Sequence, residues 1–342
     1  LADVSVATVS RVLNDSGPVS EEARQRIERV ASRLRYAPNG AARSLITRRT
    51  HTIGVLLPDL YGEFFSEVIR GIDLVAQRSG YHMLVSSSHS EQQALEAALG
   101  AMRGRVDGLI VMSPDLDQRT LRSSLAACPA VVLLNCAART ADFDAIKIDN
   151  VGGAAAMTRH LLGMGHRRIA FISGAAGNVD AEERRRGYRS AMRAAKVERD
   201  PLMEIDGDFT ESGGYRAAKA LLGIEDRPTA IFAANDSMAI GALSALREAG
   251  VSVPEEIAVT GFDDIPIAQY TSPPLTSVHV PILDLGERAT EQLVQSITTT
   301  RRRRRTCETL PTALVVRQSC GASTNGFTRD RSRASSSLEV GT

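Results

Sequence analysis

Val4-Ser-Val-Ala-Thr-Val-Ser-Arg-Val-Leu-Asn14 opens the chain with a segment whose two helical faces differ in kind. Ser5 stands at an N-cap position, and Val9, Val12 and Leu13 recur at helical spacing as an apolar stripe. Val6, Ala7, Ser10 and Arg11 are left facing outward, a set that can reach base edges in a DNA major groove. Asp15-Ser16-Gly17-Pro18 breaks the helix, Ser20 caps the next one, and Ala23, Ile27, Val30 and Leu34 give that helix a core face. Two short helices with a tight break suit a helix-turn-helix, and taken alone they suit an ordinary surface helix pair equally well.

Outward from this segment the chain becomes a larger α/β body. Its 342 residues exceed one small domain. The net charge of +1 argues by itself for no polyanionic partner, but the charge is unevenly placed. Residues 1–50 carry nine Arg against five acids, residues 301–342 carry nine Arg against three, and the middle holds 23 basic against 32 acidic residues. Basic ends flanking an acidic core suit a DNA-contacting headpiece on a larger body, although a charge run is commonly just a solvated face.

Short apolar runs then alternate with amphipathic stretches. Ile53–Leu57, Met83–Ser87, Gly108–Met112, Val131–Asn135 and Ile146–Asp149 read as strands, and a second series follows at Ile169–Ser173, Met203–Asp206, Ala230–Ala234 and Ile257–Phe262. Helices are predicted over Phe64–Arg78, Glu91–Met102, Gly152–Leu162, Glu182–Ala195, Gly213–Leu222, Ser237–Ala249 and Leu283–Ile297. Two doubly wound parallel-sheet lobes are the simplest arrangement, with a ligand cleft at the carboxyl ends of their strands. Asp149, Asn235, Asp236, Asp263 and Asp264 directly follow apolar strands, so they are candidates to face that cleft and bridge the hydroxyls of a polyhydroxylated ligand. The same residue types serve as turns and N-caps, and Asp236 reads better as the cap of its helix.

The run from Val4 to Leu45, including Tyr36-Ala-Pro-Asn-Gly-Ala-Ala-Arg-Ser-Leu45, resembles the lactose/galactose repressor (LacI-type) family of bacterial regulators. The resemblance extends over roughly residues 1–320 and implies a helix-turn-helix headpiece joined to a two-lobed periplasmic-binding-protein-like core. It implies that Val6, Ala7, Thr8, Ser10 and Arg11 contact an operator, with the Val6, Ala7 and Arg11 set like that of the galactose-repressor subgroup. It also implies a hinge helix near 39–47 that orders on DNA, with Asn39, Ala42 and a minor-groove wedge, Leu45. A wedge of that kind favours a palindromic operator with a central CpG step, read by a homodimer. In the core, the resemblance carries effector contacts onto Arg184, Asp149, Asn235 and Asp263, with Phe65 and Phe209 as sandwiching aromatics. A sugar is the expected effector, and a purine suits the same aromatic, Arg and Asp set.

The implied layout is a partial headpiece over 1–38, a hinge and linker over 39–50, one lobe from 51–165 and 279–310, the other from 166–278 and 311–320, and a disordered tail over 321–342. Lobe crossings are expected near Gly165, Ser277 and Pro311. One departure stands out: the chain opens at Leu1-Ala2-Asp3, about one helix short of the family's headpiece, so weakened DNA binding is expected of the chain as written. Arg301–Arg305 occupies what is usually a short loop and reads as solvated.

Catalysis is not expected. There is no GxxxxGK[ST], HExxH or GxSxG, and Ser173-Gly-Ala-Ala-Gly177 is too weak a phosphate-loop signal to carry an activity. His166 reads as structural, Cys128, Cys136, Cys307 and Cys320 lack metal-ligand spacing, and neither a metal nor a cofactor is expected. With no apolar run near 18 residues and no signal-peptide pattern, a cytoplasmic location with no membrane partner is expected. The rival reading is a stand-alone sugar-binding protein for transport or sensing, which would share the cleft but have no use for Arg11 or Leu45.

Overall fold

Runs of consecutive apolar residues, rather than alternating ones, build the central strands of both large sheets of this computed structural model, as strands buried on two faces require. The structure describes residues 3–14, 17–34, 49–126, 128, 130–136, 142–299 and 304–322. At its start, α1 (Val6–Asn14) and α2 (Glu21–Arg33) form the helical pair. Ser5 Oγ accepts from Thr8 N at 3.1 Å and Ser20 Oγ from Ala23 N at 3.4 Å, so both predicted caps form. Ala23 and Ile27 are buried, whereas Leu34, expected in the core face, is 54% exposed.

The first sheet contains β1 (Thr52–Leu57), β2 (His82–Ser87), β3 (Gly108–Met112), β4 (Val131–Leu134), β5 (Asp144–Ile148) and β11 (Cys307–Leu310). All are parallel, in the order β11-β5-β4-β3-β1-β2. With it pack α3 (Glu63–Arg78), α4 (Gln92–Met102), α5 (Gln118–Leu125) and α10 (Ile282–Thr298). The second sheet is parallel in the order β7-β6-β8-β9, from β6 (Ile169–Ser173), β7 (Glu204–Asp206), β8 (Ala230–Ala233) and β9 (Ala258–Thr260). Its helices are α6 (Asn150–Gly163), α7 (Val179–Ala194), α8 (Glu211–Leu222) and α9 (Asp236–Glu248). A short antiparallel pair, β10 (Ser277–His279) with β12 (Ala313–Val315), lies where the chain passes between the two bodies.

Helix pairs approach through glycine. A Cβ at Gly71 of α3 would strike the Leu283 carbonyl of α10, and one at Gly286 of α10 would strike the Val68 carbonyl of α3. Gly286→Ala is therefore expected to force the pair apart and cost about 1–3 kcal/mol. Urea denaturation checks this, and an unchanged midpoint would contradict it.

Several elements differ from the sequence expectation. Short α5 and edge strand β11 were not anticipated: the first is a polar eight-residue segment started by the Asp117 cap, and the second, Cys-Glu-Thr-Leu, has no apolar run. α7 begins at Val179, three residues before its predicted start, because Asn178 Oδ1 accepts from Asp180 N and Ala181 N. In the Arg301–Arg305 run, Arg304 and Arg305 are exposed, and Arg305 also reaches inward, its Nη1 3.0 Å from Oδ2 of buried Asp144. Residues 301–303 lie outside the described residues, as do 35–48 and 323–342, which include Asn39, Ala42, Leu45 and most of the expected hinge and tail. His166 has a structural contact, Nδ1 standing 2.9 Å from Thr229 Oγ1 between the starts of β6 and β8.

Candidate ligand cleft and nucleic-acid interface

Between the carboxyl ends of the two sheets lies a cleft of about 350 Å3, within the size range of small-molecule sites. Five predicted residues meet in it: Phe65, Arg184, Phe209, Asn235 and Asp263. Phe65 arrives on the first turn of α3 and packs edge-on against Phe64. Phe209, Asn235 and Asp263 come from loops after β7, β8 and β9, and Arg184 from α7. Among the non-glycine residues with positive φ, His89, Ser90, Phe209 and Asp263 all line the cleft, so backbone strain concentrates there. Gly174 has a specific role in this wall: a side chain there would occupy the place of the Phe209 ring, so the glycine after β6 makes room for the aromatic rather than marking a phosphate loop.

Arg184 is the hub. It is 3% exposed, with Nε donating to Asn150 Oδ1 at 2.9 Å and Nη1 to the Ala234 carbonyl at 2.5 Å. Its guanidinium carbon lies 3.8 Å from the centroid of the Phe262 ring. Nη2 stands 3.0 Å from Asp263 Oδ1, an ion pair without hydrogen-bond alignment, so this buried oxygen has no hydrogen-bond donor. Burial raises the Asp263 carboxyl to about 6, with Arg184 opposing that rise.

Asp149 does not join this group. Its carboxylate turns back to accept from Gly152 N at 2.9 Å as the N-cap of α6, and it is absent from the cleft lining. The next residue, buried Asn150, takes the inward place, donating through Nδ2 to Asp180 Oδ1 at 2.8 Å while its Oδ1 receives Arg184. A similar one-residue exchange occurs at α9. Asn235, not Asp236, is the cap, with Oδ1 accepting from Met238 N at 3.0 Å. Asp236 is instead fully buried, accepting from Ser277 Oγ at 2.5 Å and Ile265 N at 2.9 Å. Asp264 points away from Asp263, toward His279 and Arg317 beside β10 and β12.

Sequence reasoning missed Asn150, Asp180, Asn178 and Asp115. Asp115 bridges the cleft: Asn178 Nδ2 donates to its Oδ1 at 2.9 Å and Ser90 Oγ to its Oδ2 at 2.7 Å, while Val179 N donates to the Pro114 carbonyl at 3.0 Å. Ile267 N donates to Glu63 Oε2 at 2.9 Å, joining the bodies at the opposite rim. Asp180 is pushed up to about 7, first by burial and further by Glu183 and Asp263, with Arg184 and Asn150 opposing. A carboxyl whose folded value is raised contributes stability below its unfolded value of 3.8, and that stability is lost as pH rises through about 7. Asp180→Asn should therefore stabilise the unliganded protein at pH 8 by roughly 1–2 kcal/mol and much less at pH 5, read by thermal unfolding at the two pH values. Equal effects at both would contradict it.

On the headpiece, Val6 is 86% exposed, Ala7 and Arg11 are exposed, and Thr8 and Ser10 are half-buried, while Val12 is buried. The face that the apolar stripe leaves free is thus the one holding Val6, Ala7 and Arg11. Where the chain enters β1, Asp107 accepts from Thr50 N at 2.7 Å, Thr50 Oγ1 at 2.8 Å and His51 N at 3.0 Å, fixing the linker end to the core.

Residues 1–39 match the family model of bacterial regulatory proteins, lacI family, and residues 158–320 match the periplasmic binding protein-like domain. The chain is 38% identical over 301 residues to the ribose operon repressor of Escherichia coli (strain K12), covering 87% of this chain and 91% of that protein. It is 37% identical over 301 residues to the HTH-type transcriptional repressor PurR of Vibrio atlanticus (strain LGP32), covering 87% and 90%. The Lac repressor dimer bound to operator and the anti-inducer ONPF superposes with a TM-score of 0.85 at 30% identity, covering 94% of this chain and 97% of that one. With these matches spanning headpiece and core together, the chain belongs to the lacI family of bacterial regulatory proteins. It has the architecture of a DNA-binding transcriptional repressor that responds to a small molecule. No helix among the described residues is long and apolar enough to cross a membrane.

Proposed function

We propose that this chain is a homodimeric repressor of carbohydrate-use genes whose operator affinity changes when a small sugar enters the cleft, and that it turns nothing over. The observation that carries the reading is the convergence of Arg184, Asp263, Asn235, Phe209 and Phe65 on one cleft in a chain that also has a headpiece. Carboxylate, amide and guanidinium groups suit vicinal hydroxyls, and the aromatics suit the C–H faces of a sugar ring. The relationship to a ribose operon repressor supports a sugar; the relationship to PurR and the two aromatics favour a purine as the second reading.

The cleft has a direct route to the rest of the molecule. Asp263 N donates to the Val278 carbonyl at 2.8 Å and the Asp263 carbonyl accepts from Val280 N at 3.2 Å, on the segment that leads out of the second body into α10 of the first. A ligand that pulls on Asp263 pulls on this crossing, and the bridges at Asp115 and Glu63 bias the lobes toward closure. Lobe reorientation reaches the headpiece through the Asp107-anchored linker, with coupling of roughly 1–3 kcal/mol. Val6, Ala7 and Arg11 read each half of a palindromic operator whose central CpG step accepts Leu45.

Titrating the protein with D-ribose, D-galactose and hypoxanthine during operator binding tests this reading. One ligand should change operator affinity about 5- to 150-fold while leaving random duplex binding alone. Binding of a ligand with no effect on operator affinity would favour the stand-alone sugar-binding reading.

A further inference from the structure

Among the described residues, six carboxylates line the cleft: Asp59, Glu63, Asp115, Asp180, Asp208 and Asp263. Arg184 is the one guanidinium or ammonium group among the lining residues, and its charge already faces Asp263. Arg216 approaches Asp208 at 2.7 Å from the solvent side, where it is mostly exposed and screened. The donors of the wall are largely committed as well. Asn178 donates to Asp115, Asn235 Nδ2 to the Phe209 carbonyl at 2.9 Å, Ser237 Oγ to Glu211 at 2.8 Å and Thr210 Oγ1 to Asp208 at 2.6 Å. Meanwhile Asp263 Oδ1, in a side chain almost wholly buried at the cleft floor, has no hydrogen-bond donor. The cleft is thus negative in charge and rich in acceptors.

From this balance we infer that the effector is a neutral, donor-rich polyol and that the phosphorylated form of the same sugar is rejected. The inference rests on the sugar reading above and narrows it. Every sugar hydroxyl brings a proton to a wall rich in carboxylate acceptors. A phosphate monoester near neutral pH brings acceptors and about two negative charges to carboxylates in a partly desolvated space, where repulsion is weakly screened. Burial raises the Asp180 and Asp263 carboxyls, and Glu183 and Asp263 add to the rise at Asp180. Asp59 and Glu63 lie on the rim contributed by the first lobe, so they meet an incoming anion before it reaches Arg184.

Isothermal titration of the whole chain with matched pairs, D-ribose against D-ribose 5-phosphate and D-galactose against D-galactose 6-phosphate, tests the inference, with hypoxanthine as a third arm. Whichever sugar binds, its neutral form should bind at least tenfold tighter than its phosphate. In Asp59→Asn, a substitution at an exposed position, that preference should shrink severalfold through gain of phosphosugar affinity. A phosphosugar that binds as tightly as its parent overturns the inference and leaves the sugar reading standing. Hypoxanthine binding with neither member of either pair overturns the sugar reading, and the inference falls with it.

Discussion

Arg184→Met is expected to abolish the effector response and to destabilise the core by about 3–5 kcal/mol at pH 8. The guanidinium is buried beside an equally buried carboxylate, and removing one charge leaves the other without compensation. The loss also strands Asn150 Oδ1 and the Ala234 carbonyl, each of which accepts from Arg184. The deficit should depend on pH in a defined direction. Asp263 already protonates near 6 with Arg184 present, and without it the carboxyl moves higher. As pH falls toward 5 the acid neutralises itself, so the penalty should shrink. Adding Asp263→Asn to Arg184→Met should recover much of the stability at pH 8 and none of the ligand binding. Urea denaturation at the two pH values with calorimetric ligand titration separates these effects. A stable Arg184→Met variant that still responds to ligand would remove Arg184 from the account.

Arg11→Ala should relax sequence preference by roughly 1–3 kcal/mol in each half-site while sparing most nonspecific affinity. The side chain is exposed on α1 next to buried Val12, and its methylenes lie close to the turn at Gly17. That arrangement frees the guanidinium for a bidentate contact with guanine. Val6 and Ala7 beside it can touch a thymine methyl but cannot accept from an amino group. Binding to operators carrying single substitutions at each position, at fixed salt, would locate the loss at one base pair per half-site. Uniform weakening across operators and random duplex would instead make Arg11 a phosphate contact.

The parts of this molecule that the sequence made legible are those governed by local pattern. Buried parallel strands such as Gly108–Met112 and Ile169–Ser173 show as unbroken apolar runs, and Ser20 announces its helix as a cap. Phe65, Arg184, Phe209, Asn235 and Asp263 were placed in the cleft by sequence, and the two misreadings at strand-to-helix junctions share a cause. Asp149-Asn150 and Asn235-Asp236 each place two polar residues at a strand-to-helix junction, where one caps and the other turns inward. Sequence cannot rank the two, because the choice depends on what the inward residue meets: Arg184 for Asn150, Ser277 and Ile265 for Asp236. Asp180 was hidden by a helix start read three residues late, although Asn178 was a cap signal that would have exposed it. The first-lobe contribution at Asp115 and Glu63 had no local signature, since it exists only through contacts with Asn178 and Ile267 across the cleft.

Operator-binding anisotropy of the full chain, on a CpG-centred palindrome and on a scrambled duplex of equal length at one salt concentration, tests the central claim most directly. It should be run with and without the neutral sugar that binds in calorimetry. Binding should be tighter to the palindrome, the sugar should change that affinity alone, and the sugar effect should be lost in Arg184→Met. Equal affinity for the two duplexes, unmoved by a sugar that demonstrably occupies the cleft, would contradict it.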